Sequence, residues 1–167
     1  QKRLNSIGEG PFVGLSWKSA TMSPERIPNY FKINDLFPIL SIPNVNFINL
    51  QNSDYKNDLN KIKNELGVTV HNFDDLDHFD DLDNVAALIS ALDMVVSNKT
   101  TASLISAAVG TKTMLANWRQ SSWNNILNNP KGPSVNIFER NTWEKWDNIF
   151  SSIAEDIFKL KNSWSKG

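Results

Sequence analysis

Cysteine is absent from the 167 residues, which excludes disulfides and thiolate metal sites. Histidine is nearly as scarce. His71 and His78 are the two present, too few for most histidine-built metal sites, and no metal or other cofactor is expected. Neither sign of charge dominates: 17 Lys and Arg stand against 18 Asp and Glu, for a formal net charge of −1. No basic excess therefore points to nucleic acid. No apolar run approaches the roughly 18 residues of a membrane span, and the N-terminus is not a signal peptide. A cytoplasmic location without a membrane span is expected. The chain starts at Gln1, with no initiator methionine, and is expected to be a processed product or a fragment of a longer protein.

What is present reads as globular: 40% of residues are hydrophobic and 21% charged. The length suits one domain with a real core. Residues 1–11 are polar with Gly8, Gly10 and Pro11, and read as a linker or frayed entry. The domain is placed at 12–160, and residues 161–167 form a polar tail. Phe12 to Trp17 reads as a first buried strand. Ile33, Leu36, Phe37 and Leu40 have helical spacing. Val45–Leu50 reads as a second strand. Leu59, Ile62 and Leu66 mark a helix over 58–66 that Gly67 stops, and Val68–Val70 follows as a short third strand. In 71–83 the pattern Phe-Asp-Asp-Leu-Asp occurs twice, at 73–77 and 79–83. Asp83 and Asn84 are placed as the cap of a helix over 85–92.

The most informative stretch is 92–116. Met94–Val96 stops at a polar knot, Ser97–Thr101. A small-residue helix runs to Gly110, and Thr113–Ala116 is a second apolar run. That is a compact βαβ unit. Residues 117–134 are a long loop, Val135–Phe138 a last strand, and 143–160 a long amphipathic helix. Strands and helices alternate throughout. The expected fold is α/β, a Rossmann-like doubly wound, mainly parallel sheet with helices on both faces. In such sheets ligands bind where a strand ends and the next helix begins.

The order of Val13-Gly14-Leu15-Ser16-Trp17-Lys18, then Val45–Gln51, then Val85–Ser97 with a Thr-rich helix start, resembles the C-terminal domain of GT-B-fold glycosyltransferases. The bacterial TPR-linked, heptosyltransferase-like proteins are the relatives it is most similar to. Lys99-Thr100-Thr101 also looks like the His-Thr-Thr corner of the O-linked N-acetylglucosamine transferases. The resemblance spans about residues 12–150. It implies one half of a GT-B fold that binds a nucleoside-diphosphate sugar, for transfer to a protein or glycan acceptor. The partner it implies is an N-terminal acceptor-binding or TPR domain of the same longer chain. This chain alone would then bind donor without turning over. One departure stands out: the heptosyltransferases carry an acidic residue followed by Ser/Thr-Gly at the corner, where this chain has Asn98-Lys99-Thr100-Thr101 and no glycine.

The chemistry expected of each group follows from residue type. A helix N-terminus attracts anions, and Ser97, Asn98, Thr100, Thr101 and Ser103 add polar groups while Lys99 adds a charge. These residues and Lys18, at the end of the first strand, are the diphosphate candidates. Plain N-capping accounts for the hydroxyls equally, and a solvated loop lysine for Lys18; Arg26 is a weaker candidate in the same loop. In the glycosyltransferases that the chain resembles, the loops at the ends of the second and third strands hold the base and ribose, and the resemblance thus implies Gln51, His71, Asn72 and Phe73 as the candidates there. A core Phe73 and a surface His71 are the plainer account. Trp17 and Trp118, with Trp123, are candidates to line a sugar site, while Trp143, Trp146 and Trp164 read as packing for the last helix. The pairs Asp75/Asp77 and Asp81/Asp83 match an Asp-x-Asp metal motif, which helix capping explains as well. No catalytic residue is assigned. A different class of function also fits: a non-catalytic Rossmann-like protein-interaction module that has lost nucleotide binding.

Overall fold

The computed structural model describes residues 1–19, 24, 27–118, 135–141 and 143–164. Six strands are present among them: β1 Phe12–Ser16, β2 Asn46–Asn49, β3 Val70–His71, β4 Met94–Ser97, β5 Thr113–Trp118 and β6 Val135–Arg140. They form one sheet in the order β3-β2-β1-β4-β5-β6, and every neighbouring pair is parallel. The helices are α1 Lys2–Asn5, α2 Phe37–Leu40, α3 Lys56–Leu66, α4 Leu82–Ser90, α5 Thr101–Val109 and α6 Asp147–Ser163. The architecture is α/β with helices on both faces, a Rossmann-like doubly wound fold.

A parallel sheet covered on both faces needs apolar residues in consecutive strand positions. β1 is buried along its whole length. Its alternate residues feed two cores. Val13 and Leu15 join Phe47, Met94, Val96 and Met114 beneath α2, α3 and α6. Phe12, with Ile48 and Val95, meets Leu4, Val85, Ile89 and Ala102 on the other face, beneath α1, α4 and α5. Gly14 lies on that second face for want of room. A Cβ there would stand 2.5 Å from Cδ1 of Leu50 and 2.7 Å from Cδ1 of Leu92.

Several boundaries differ from expectation for identifiable reasons. Residues 1–11 are not a bare linker. They contain α1, whose Leu4 is buried in the second core. The helical stretch ending at Leu40 is a 3-10 turn, Ile33–Leu36, continued by α2. Pro38, which has no N–H to give, sits in the first turn of α2, where none is needed. β3 is an edge strand of two residues, and β5 runs on to Trp118 because β6 pairs with it that far. α4 starts a turn early and is capped by Asp81, whose carboxylate accepts from Asn84 N at 3.3 Å. α6 continues to Ser163, into the expected tail. Trp146 is buried against Phe31, with ring centroids 5.6 Å apart, whereas Trp143 is exposed and packs no helix core. No described helix is long and apolar enough to cross a membrane.

Candidate functional site

Strand order reverses at β1, which has β2 on one side and β4 on the other. Connections leave β1 and β4 toward opposite faces, and a crevice opens outside their carboxyl ends. Ser16 ends β1 beside Ser97, the last residue of β4. Thr100 then begins α5 in extended conformation, and its hydroxyl turns back toward the strands. It lies 3.1 Å from Ser16 Oγ and 3.0 Å from Ser97 Oγ. The three hydroxyls form one cluster at the switch point. The Thr100 hydroxyl thus faces both the strand ends and the first turn of α5, where Thr100 and Ser103 form a capping box. Among the described residues nothing accepts from the N–H groups of Thr101 and Ala102, so this end of α5 keeps open donors.

A cavity of about 30 Å³ lies at this point, room for a water molecule or for one oxygen of a larger group. Ser16, Thr100, Thr101 and Ala102 line it, and His78 closes it from the β3–α4 loop. A larger groove of about 480 Å³ runs between α1 and α4, past Phe73 and Leu88. Size alone would favour that groove. Its polar walls, however, are exposed side chains such as the Arg3–Asp75 pair. The strand-end cleft has the fold's ligand-binding position and the buried polar groups, and it is the candidate site.

The structure divides the predicted diphosphate residues. Ser97, Thr100 and Thr101 are at the crevice. Ser103 is buried in the first turn of α5, where its hydroxyl donates to Thr100 O at 2.8 Å and accepts from Thr100 N at 3.3 Å, a helix-local role. Asn98 is fully buried and spans the strand ends, its amide donating to Trp17 O at 2.9 Å. Lys99 is half-buried. Loss of hydration lowers its pKa to about 8, with Glu139 near the end of β6 pulling the other way. Lys18 is directed elsewhere: its ammonium is 3.0 Å from Asp58 Oδ2 and donates to Asp54 O. Its charge is already met by a carboxylate, which corrects its placement as the second arm of a phosphate clamp.

The other two groups need larger corrections. Gln51 is fully buried and acts as a clamp on the exit of β1. Its Oε1 accepts from Trp17 N at 3.1 Å and Lys18 N at 3.0 Å, and its Nε2 donates to Lys18 O at 2.6 Å. Every polar end of the side chain faces backbone, which leaves none for a base. Asn72 accepts from Asn49 Nδ2 at 2.8 Å and donates to Asp74. Phe73 packs at the second core with the Arg3 guanidinium 4.3 Å from its ring centroid, so one face is covered. His71 is half-buried in edge strand β3, and loss of hydration lowers its pKa. Trp17 is 1% exposed in the first core, with Nε1 donating to Asp58 at 2.8 Å; it lines no sugar site. Trp118 ends β5, its N–H donating to Asn29 Oδ1 at 3.1 Å. Arg26 and Trp123, and most of the 117–134 loop, lie outside the described residues. Among the described residues the Asp-x-Asp pairs gather no metal-binding cluster. Asp81 caps α4, and Asp77 accepts from the backbone of Phe79 and Asp80.

His78 is the site residue that residue-type reasoning passed over. A signal for His78 was present: it stands alone between the two acidic repeats, in a loop that leaves the carboxyl end of a strand.

The fold and this crevice define a doubly wound α/β domain with a hydroxyl-rich cleft at its switch point. No family model matches the sequence. The chain is 33% identical over 154 residues to Protein FlbA of Caulobacter vibrioides, a match covering 91% of this chain and 26% of that protein. The chain thus spans about a quarter of the length of the curated relative it matches.

Proposed function

We propose that this domain is the donor-binding half of a GT-B glycosyltransferase, which takes a nucleoside-diphosphate sugar and transfers the sugar to a protein or glycan acceptor. The observation that carries this reading is the hydroxyl cluster of Ser16, Ser97 and Thr100 at the β1/β4 switch point, beside the open first turn of α5. Backbone N–H groups and hydroxyls at a helix start suit a diphosphate without a metal. Thr100, Thr101 and Lys99 are the groups proposed to hold it and to stabilise it as leaving group. The acceptor and the base of the reaction would come from another part of a longer, cytoplasmic protein, an N-terminal or TPR domain. The length of the FlbA match is compatible with such an arrangement.

Calorimetric titration with UDP, GDP and ADP tests this reading. Binding of one nucleotide, weakened by Thr100→Ala with Thr101→Ala and without loss of fold, supports it. No binding at millimolar nucleotide sinks it. A second reading has its own observations: Lys18 is committed to Asp58, the corner lacks glycine, and the crevice is water-sized. These favour a Rossmann-like protein-interaction module that has lost nucleotide binding.

A further inference from the structure

The β3–α4 loop lays His78 over the hydroxyl cluster, and its imidazole is not explained by packing. Both ring nitrogens are buried, and neither has a hydrogen-bond partner among the described residues. A buried polar nitrogen without a partner costs about 1–3 kcal/mol, so such groups call for an explanation. The surroundings offer one. The ring lines the same cavity as the hydroxyls of Ser16 and Thr100. The chain comes to this point from five elements: the ends of β1 and β2, the β3–α4 loop and the first turns of α4 and α5. Leu50, Val85 and Ile105 give the cavity apolar walls, and Ser19 and Asn52 add polar ones. Burial lowers the imidazole pKa, with the neighbouring Asp77 opposing the shift. At neutral pH the ring is therefore mostly neutral, with one N–H to donate.

We propose that His78 is a binding residue of this crevice, donating a hydrogen bond to a phosphoryl oxygen seated between its ring and the hydroxyls of Ser16 and Thr100. The inference rests on the donor-binding reading and deepens it. The cavity admits one oxygen of a phosphoryl group, while the rest of the ligand stays outside it. The same contact would hold the acidic β3–α4 loop down over a bound diphosphate.

The test follows the imidazole itself. The chain has two histidines, so His71 serves as an internal control. Imidazole ¹H–¹⁵N correlations are recorded during titration with UDP and, in parallel, inorganic pyrophosphate. The expected result is that both ligands shift the His78 signals and that pyrophosphate, which carries no base, leaves those of His71 in place. In calorimetry His78→Ala should weaken UDP binding roughly tenfold to a hundredfold, the range for a hydrogen bond to a charged group. His78→Gln, which keeps a donor, should recover part of it. UDP binding with unmoved His78 signals and full affinity in His78→Ala overturns the inference and leaves the donor-binding reading standing. A His78 shift with UDP but none with bound pyrophosphate places the contact on the nucleoside and also overturns it. Absence of binding by UDP, GDP, ADP and pyrophosphate overturns both.

Discussion

Replacing Gln51 by leucine separates two roles that the residue type alone leaves open. A base-reading glutamine would be lost with little effect on folding. The structure instead makes it a clamp of three hydrogen bonds on the chain leaving β1. Leucine fills similar volume but bonds none of these groups. Trp17 N is in buried surroundings, so its lost partner costs about 1–3 kcal/mol. The N–H and C=O of Lys18 are part-buried, water reaches them, and each loses about 0.5–1 kcal/mol. Gln51→Leu should therefore destabilise the domain by about 2–5 kcal/mol. At about 2–4 °C per kcal/mol for a domain of this size, the midpoint falls by roughly 4–20 °C. Urea titration with an unchanged slope, backed by calorimetry, measures it. A variant within about 0.5 kcal/mol of the parent, the range of a neutral surface change, would refute the clamp and return Gln51 to the ligand.

Other perturbations probe separate links. Gly14→Ala pushes a methyl against Leu50 and Leu92 and should cost about 1–3 kcal/mol in urea titration, the usual range for overpacking; an unchanged midpoint would mean that both leucines move aside freely. Asp81→Ala removes the cap of α4 and should cost about 1 kcal/mol, with Asp83→Ala as the near-neutral comparison. His78 is favoured neutral in the fold, so its contribution is complete above the ordinary pKa of 6.5 and is lost as pH falls through the lower folded value. The stability gap between the parent and His78→Gln should accordingly differ between pH 7.5 and pH 5, and an equal gap at both would contradict the burial of the ring. Lys99 has a pKa of about 8, so diphosphate affinity should decline as pH rises through that value, and Lys99→Met should remove the slope; a parent affinity flat to pH 9 would take Lys99 out of the site.

Much of the fold was legible in local pattern. Runs such as Met94–Val96 and helical spacing such as Leu59, Ile62 and Leu66 depend only on near neighbours, and Gly67 stopped α3 where expected, in left-handed conformation. The hydroxyl corner was legible too, because a capped helix start after a buried strand is written in a few consecutive residues. Three matters were not. Trp17 and Lys18 read as cleft residues until Asp58, some forty positions away, took both their polar ends. Gln51 read as a ligand contact until the β1–β2 pairing turned it onto backbone. His78 carried no assigned role until the β3–α4 loop brought it to the cavity that Ser16 and Thr100 line. The sequence by itself determined which segments are strand or helix and where a polar corner interrupts them, since those preferences are local. Only the tertiary structure decided the strand order, and with it which polar side chains meet one another and which are left facing the crevice, because burial and pairing are set by residues far apart in the chain.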